Sequence, residues 1–169
     1  MTSTKGKSKR PLVRFQNEQK RFRLSESRIR RLAEKILLFL KLKVELHLTF
    51  VSDAQIRRLN KLFHAADRAT DVLAFPNPQR WPGKENGPEF LGEIIVSVER
   101  AIAQSKQFQS TQDEELIRYV AHGILHLIGE SDANPRAQKK MFKRQEKIIK
   151  QLKPISKILL SSPRRQGSL

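Results

Sequence analysis

The sequence predicts an α+β domain: about four strands in a mixed sheet, packed with about five helices. Three observations carry this. Apolar residues recur at helical spacing in several long segments. They alternate at strand spacing in VELHLTFVS and form short runs of strand length in DVLAF and FLGEIIVSV. At 169 residues the chain is long enough to bury one real core.

The elements follow in order. Residues 1–10 are basic, lack an apolar pattern and are expected to be a disordered tail. LVRFQNEQ reads as a strand, with Leu12 or Val13 and Phe15 on alternating positions. Ser25 or Ser27 can cap a helix to about Leu40, whose residues Ile29, Leu32, Ala33, Ile36, Leu37 and Leu40 share a face. VELHLTFVS is a half-buried strand, with Val44, Leu46, Leu48 and Phe50 on its apolar side. Asp53 is the expected cap of a short helix to about Phe63. DVLAF (71–75) is a strand ended by Pro76, and residues 76–89, with four prolines and two glycines, form a long loop. FLGEIIVSV (90–98) is a buried strand, followed by a helix from about Glu99 to Gln107. Asp113 is the expected cap of a helix with Leu116, Val120 and Ile124 on its apolar face. Asn134 and Pro135 are an N-cap and a first helical residue. The helix they open carries Met141, Ile148, Ile149 and Leu152 on one side and lysines on the other. A single domain thus spans 11–153, and 154–169 is expected to be a frayed basic tail.

Charge is the strongest compositional signal. The formal net charge is +17. Residues 1–35 hold 12 Lys/Arg against 3 Asp/Glu, and residues 136–169 hold 11 against 1. The stretch between them is nearly neutral. Two basic ends on a neutral body point to a polyanion, nucleic acid ahead of an anionic membrane. With no cysteine, disulfides and thiolate metal sites are excluded, and a reducing cytoplasm is the expected compartment. The first residues lack the apolar core of a secretory signal. The run ILLFL (36–40), broken by Lys41 and Lys43, is too short for a bilayer, so no membrane is expected.

The chemistry concentrates in AHGILHLIGESDANP (121–135). His122 and His126 are four apart and share one face of a helix. Gly129 is a residue type that ends helices in a left-handed conformation, so the chain can reverse there and return Asp132 toward the imidazoles. Two imidazoles and a carboxylate form a common zinc set with a fourth position open to water, which then becomes a usable nucleophile. Glu130 is the alternative carboxylate, with less chain in which to turn back. Two histidines can also be ordinary helix residues. The metalloprotease pattern His-Glu-x-x-His needs a glutamate where this chain has Gly123, so peptide hydrolysis by that route is disfavoured.

HGILHLIGESD resembles the His-Gly-x-Leu-His-Leu-x-Gly-Tyr-Asp-His signature of the YbeY endoribonucleases. LNKLFHAADRATDVLAFP (59–76) is similar to that family's Leu-Asn-x-x-Tyr-Arg-x-x-Asp-x-Pro-Thr-Asp-Val-Leu-Ser-Phe-Pro segment, and LGEIIVS (91–97) to its Leu-Gly-Asp-Ile-x-x-Ser strand. The resemblance covers about residues 45–150. It implies an α+β fold with a zincin-like metal helix, one divalent ion, most simply Zn²⁺, and hydrolysis of single-stranded RNA. The implied setting is small-subunit ribosomal RNA maturation and ribosome quality control, with ribosomal RNA and small-subunit proteins as partners. The implied ligands are His122, His126 and Asp132, the last standing where the family has a third histidine. That exchange lowers the site's charge by one and favours a less acidic bound water and harder ions such as manganese. The family's arginine position falls on His64, which can meet a phosphate when protonated, act as acid or base, serve as a further ligand, or simply lie on the surface. Arg118, one turn before His122, either meets a phosphate or faces solvent. Thr70 and Asp71 match the family segment, and Asp71 is either a cleft residue or a turn cap. His47 lies on the polar face of its strand and is left out of the site. The rival readings are an RNA-binding ribosome-assembly factor without turnover and a small metalloprotease.

Overall fold

The computed structural model describes residues 10–78, 89–155 and 157–160. A four-stranded sheet runs in the order β1 (Leu12–Asn17), β3 (Val44–Val51), β5 (Glu89–Ser97), β4 (Val72–Pro76). β1, β3 and β5 are parallel, and β4 is antiparallel at the edge beside β5. The helices are α1 (Glu26–Phe39), α2 (Asp53–His64), α3 (Val98–Phe108), α4 (Gln112–Leu127) and α5 (Pro135–Leu152). The α+β class, the mixed four-stranded sheet and the five helices all agree with the sequence reading.

The sheet is buried on both faces. Val44, Leu46, Leu48 and Phe50 of β3 join Leu91, Ile94 and Val96 of β5 in the main core, under α1, α4 and α5. Val51, Ile56, Leu73 and Ile95 form a smaller core on the other face, beneath α2. The parity of β5 changes because register shifts between Glu45 and Leu46, which pair with Phe90 and Gly92. The extra residue is Leu91, which can therefore share a face with Ile94.

Helix starts show where local chemistry was misread. Ser52, not Asp53, caps α2: its hydroxyl accepts from Gln55 N at 3.2 Å and Gln55 Oε1 accepts from Ser52 N at 2.8 Å. Thr111 and Glu114 form the same reciprocal cap on α4, in place of Asp113. Asp113 instead accepts the backbone N–H groups of Ile158 and Leu159, at 3.1 and 2.7 Å. Residues 159–160, within the stretch expected to fray, pair as β6 with β2 (Arg23–Leu24), and Ile158 is buried. Residues 1–9 of the expected basic tail, 79–88 of the expected loop and 161–169 of the second tail lie outside the described residues.

The contact that fixes the depth of α4 is at Gly123. A Cβ there would lie 2.7 Å from Ile94 Cγ2 and 2.9 Å from its Cδ1. Ile94 is fully buried and β-branched, so it has little room to move. Gly123→Ala therefore sets overpacking of about 1–3 kcal/mol against a helix-propensity gain of about 1 kcal/mol. The expected net result is destabilisation by about 1 kcal/mol, read from urea unfolding midpoints. In an Ile94→Ala background the same change should cost nothing or stabilise; equal costs in both backgrounds would rule out this contact as the reason for the glycine.

Candidate metal centre

α4 ends in a hydrogen-bonded left-handed turn. Gly129, at φ 96°, donates to His126 O at 3.0 Å, and Glu130 N donates to Leu125 O at 3.0 Å. This pair of bonds satisfies carbonyls that the helix end would otherwise leave open. The chain then reverses, and Asn134 starts α5 by accepting from Ala137 N at 2.9 Å.

The reversal brings Asp132 back to the two histidines, as the spacing suggested. Asp132 Oδ2 lies 3.8 Å from His122 Nε2 and 3.7 Å from His126 Nε2. The two Nε2 atoms are 3.0 Å apart, and the three candidate ligand atoms lie within 4.8 Å of one another. Glu130, the alternative carboxylate, is turned away and pairs with Arg144.

The outer nitrogens decide what the inner ones can do. His126 Nδ1 sits 3.0 Å from the carbonyl oxygen of Glu130, an acceptor only, so Nδ1 carries the proton. His122 Nδ1 sits 2.9 Å from Gln145 Oε1 and donates in the same way. Both Nε2 atoms then present lone pairs to the same point. Two lone pairs at this separation repel unless a cation lies between them, and two imidazole nitrogens on one tetrahedral zinc sit about 3.4 Å apart. The donor set therefore fits a divalent ion. Burial, with His126 adding to it, pushes the His122 pKa below its usual value, keeping its ring in the neutral form a metal requires.

A cleft of about 580 Å³ opens beside this group, with His122 and Asp132 in its wall. Arg118 also lines it, but its guanidinium is engaged: Nε donates to Glu146 Oε1 at 2.8 Å, and Nη1 to Glu115. Asp71 lines the cleft too, and its Oδ1 accepts from Val72 N at 2.9 Å. Thr70 donates to Asp71. His64 is not brought to this group. It ends α2, exposed, with its ring stacked at 6.2 Å on Phe75. His47 is paired with Glu45 at 2.9 Å on the sheet.

Sequence reasoning missed Gln145. Its signal was present: a lone amide in the apolar stripe of α5, four residues after Met141 and three before Ile148, and buried like them. It also missed Glu115 and Glu146, whose charges matter only once Arg118 is seen between them.

The family described as Endoribonuclease YbeY matches residues 14–153. A protein named Endoribonuclease YbeY from Myxococcus xanthus is 42% identical over 106 residues, covering 63% of this chain and 36% of that protein. One so named from Thermodesulfovibrio yellowstonii is 39% identical, covering 62% of this chain and 65% of that protein. One from Aquifex aeolicus is 32% identical over 94% of this chain and all of its own length. The first two relatives are thus matched over less than two thirds of their length. A solution structure of a Thermotoga maritima protein superposes with a TM-score of 0.58 at 30% identity, covering 83% of this chain and 89% of that one.

Removing the second partner tests the geometry. Gln145→Leu is expected to weaken zinc binding by about 10–100-fold without unfolding the protein. His126→Ala should abolish it. Calorimetric titration with zinc, alongside elemental analysis of protein purified without chelator, measures both. Unaltered zinc affinity in Gln145→Leu would show that the His122–Gln145 contact does not orient a ligand.

Proposed function

The chain belongs to the YbeY endoribonuclease family, and from that premise we propose that it is a metal-dependent endoribonuclease of single-stranded RNA. Its proposed setting is small-subunit ribosomal RNA maturation and ribosome quality control, in the cytoplasm, with ribosomal RNA and small-subunit proteins as partners. No helix among the described residues is long and apolar enough to cross a membrane. The observation that carries the reading is the convergence of His122 Nε2, His126 Nε2 and Asp132 Oδ2, with both imidazoles tethered through their other nitrogen.

In this reading His122, His126 and Asp132 hold one divalent ion, with zinc the best match to a small nitrogen-rich set. When bound, such an ion supplies Lewis acidity toward a phosphodiester oxygen and activates water. The chain's own residues hold the geometry. Gln145 and the Glu130 carbonyl fix the ring planes. Glu115 and Glu146 engage the Arg118 guanidinium, so a phosphate reaching it would compete with two carboxylates. His64, at the family's arginine position, would need to approach the bound RNA from outside the cleft.

RNA is held elsewhere. α5 exposes Lys140, Lys143, Arg144 and Lys147, which with Lys41 and Phe39 line a shallow groove against the end of α1. Such a surface contacts backbone phosphates without reading sequence. The rival reading, an assembly factor without turnover, draws support from one observation: Arg118, the only cation among the described cleft residues, is already paired with carboxylates.

Asp132→Ala is expected to lose metal and cleavage together while keeping RNA affinity, measured with elemental analysis, a single-stranded RNA cleavage assay and filter binding. Cleavage undiminished in metal-free Asp132→Ala protein would sink the mechanism, and metal binding with no cleavage in the wild type would favour the assembly factor. Lys143→Glu/Lys147→Glu should weaken RNA binding across sequences and reduce the salt slope by about one per lost phosphate contact. A slope that does not change would place the phosphate contacts elsewhere.

A further inference from the structure

The cleft beside the metal-ligand group opposes the charge of the rest of the chain. The protein's formal net charge is +17. The cleft wall holds four carboxylates, Asp71, Glu115, Asp132 and Glu146, against one cation, Arg118. Glu115 and Glu146 already engage that cation. A phosphate is therefore repelled from the interior and tolerated only at the mouth, where a divalent ion would reverse the local sign.

What the interior offers is flat apolar surface. Phe108, the last residue of α3, and Phe142 on α5 both line the cleft, and they are 62% and 59% exposed. Met141 and Tyr119 lie buried in the same wall, and the amides of Gln104 and Gln138 line it as well. The volume of about 580 Å³ suits one or two flat rings and excludes a duplex.

We propose that this cleft is a nucleobase site, which takes an unstacked base of single-stranded RNA adjoining the phosphate at the metal group, with Phe108 and Phe142 as its stacking faces. The occupant follows from charge and continuity. A neutral aromatic ring is accepted by an acidic, aromatic wall that refuses phosphate, and the cleft runs directly into His122 and Asp132. The proposal rests on the endoribonuclease reading for the position of that phosphate.

The test reads binding rather than turnover. Short single-stranded RNAs carrying 2-aminopurine at successive positions are titrated into the full chain, zinc-loaded and metal-free, because stacking quenches this base. Wild type should quench at one or two positions. Phe108→Ala/Phe142→Ala should lose the quenching and bind about tenfold more weakly. An RNA abasic at the quenched position should bind both proteins alike. Undiminished quenching in the double variant, or the same tenfold loss on abasic RNA, overturns the base site. So does a lysine-rich peptide that displaces the fluorescent RNA and binds wild type more tightly than the double variant, since the cleft would then take a basic protein segment. Position-specific quenching without any cleavage by the zinc-loaded protein supports the base site and removes the endoribonuclease reading alone.

Discussion

The approach of α4 to β5 at Gly123 is the constraint on which the site depends. With no side chain at 123, the helix settles until its backbone meets Ile94. Its residues Leu116, Val120, Ile124 and Leu127 are then buried, and His122 and His126 are left half-buried on the face turned to the cleft. A glutamate at 123 would drive its carboxylate toward Ile94 in a dry core, where an unpaired charge is costly. The glycine that removes the metalloprotease base is thus explained by packing. The same contact separates this helix from the peptidase pattern it partly shares.

From that depth the rest follows by short chain connections. The left-handed turn at Gly129 is open, with nothing near a would-be Cβ, so backbone conformation rather than space selects glycine there. The turn carries both a tether, the Glu130 carbonyl, and a candidate ligand, Asp132. α5 then divides its circumference. Met141, Phe142, Gln145 and Glu146 face the cleft, while Lys140, Lys143, Arg144 and Lys147 face the groove by α1. Residues three and four apart share a helix face, so the two sets alternate along one element without mixing.

This division also explains what the sequence could and could not disclose. Periodicity exposed every strand of the main sheet and all five helices, because burial imposes a period on the residues themselves. The candidate ligand group was legible for the same reason: His122 and His126 are one helical turn apart, and Gly129 is a residue that turns chains. Ser52 and Thr111 were overlooked as caps because a neighbouring aspartate also fits the role, and only the reciprocal bonds of Gln55 and Glu114 decide between them. Asp113 was free to hold Ile158 and Leu159, a contact across 45 residues that no local pattern records. The surroundings of Arg118 were hidden similarly. Its position beside His122 was visible in the helical spacing, but Glu146, which pairs with its charge, lies on a different helix. Charges are read from sequence one at a time, whereas a cleft responds to their sum.

That sum gives meaning to the aspartate at position 132. In a histidine-only ligand set, the ion would bring its full charge into the cleft. Here Asp132 joins Asp71, Glu115 and Glu146 around a single paired arginine, so an ion held there would meet a wall that already attracts it. Such a site trades Lewis acidity for affinity, since each added negative charge stabilises the cation and makes a bound water less acidic. Among the described residues, Lys140, Lys143, Arg144 and Lys147 of α5 line the groove rather than the cleft. Under the proposed function, attraction of RNA and activation of its phosphate would then be separate tasks on separate faces of α5. On the proposed reading, lysines on one side would gather the polyanion at long range, where salt weakens them. The acidic cleft on the other side would admit phosphate only where an ion sat. A strand bound by the lysines alone would be held without being cut, and cleavage would depend on a nucleotide that can leave the backbone groove and reach His122, His126 and Asp132.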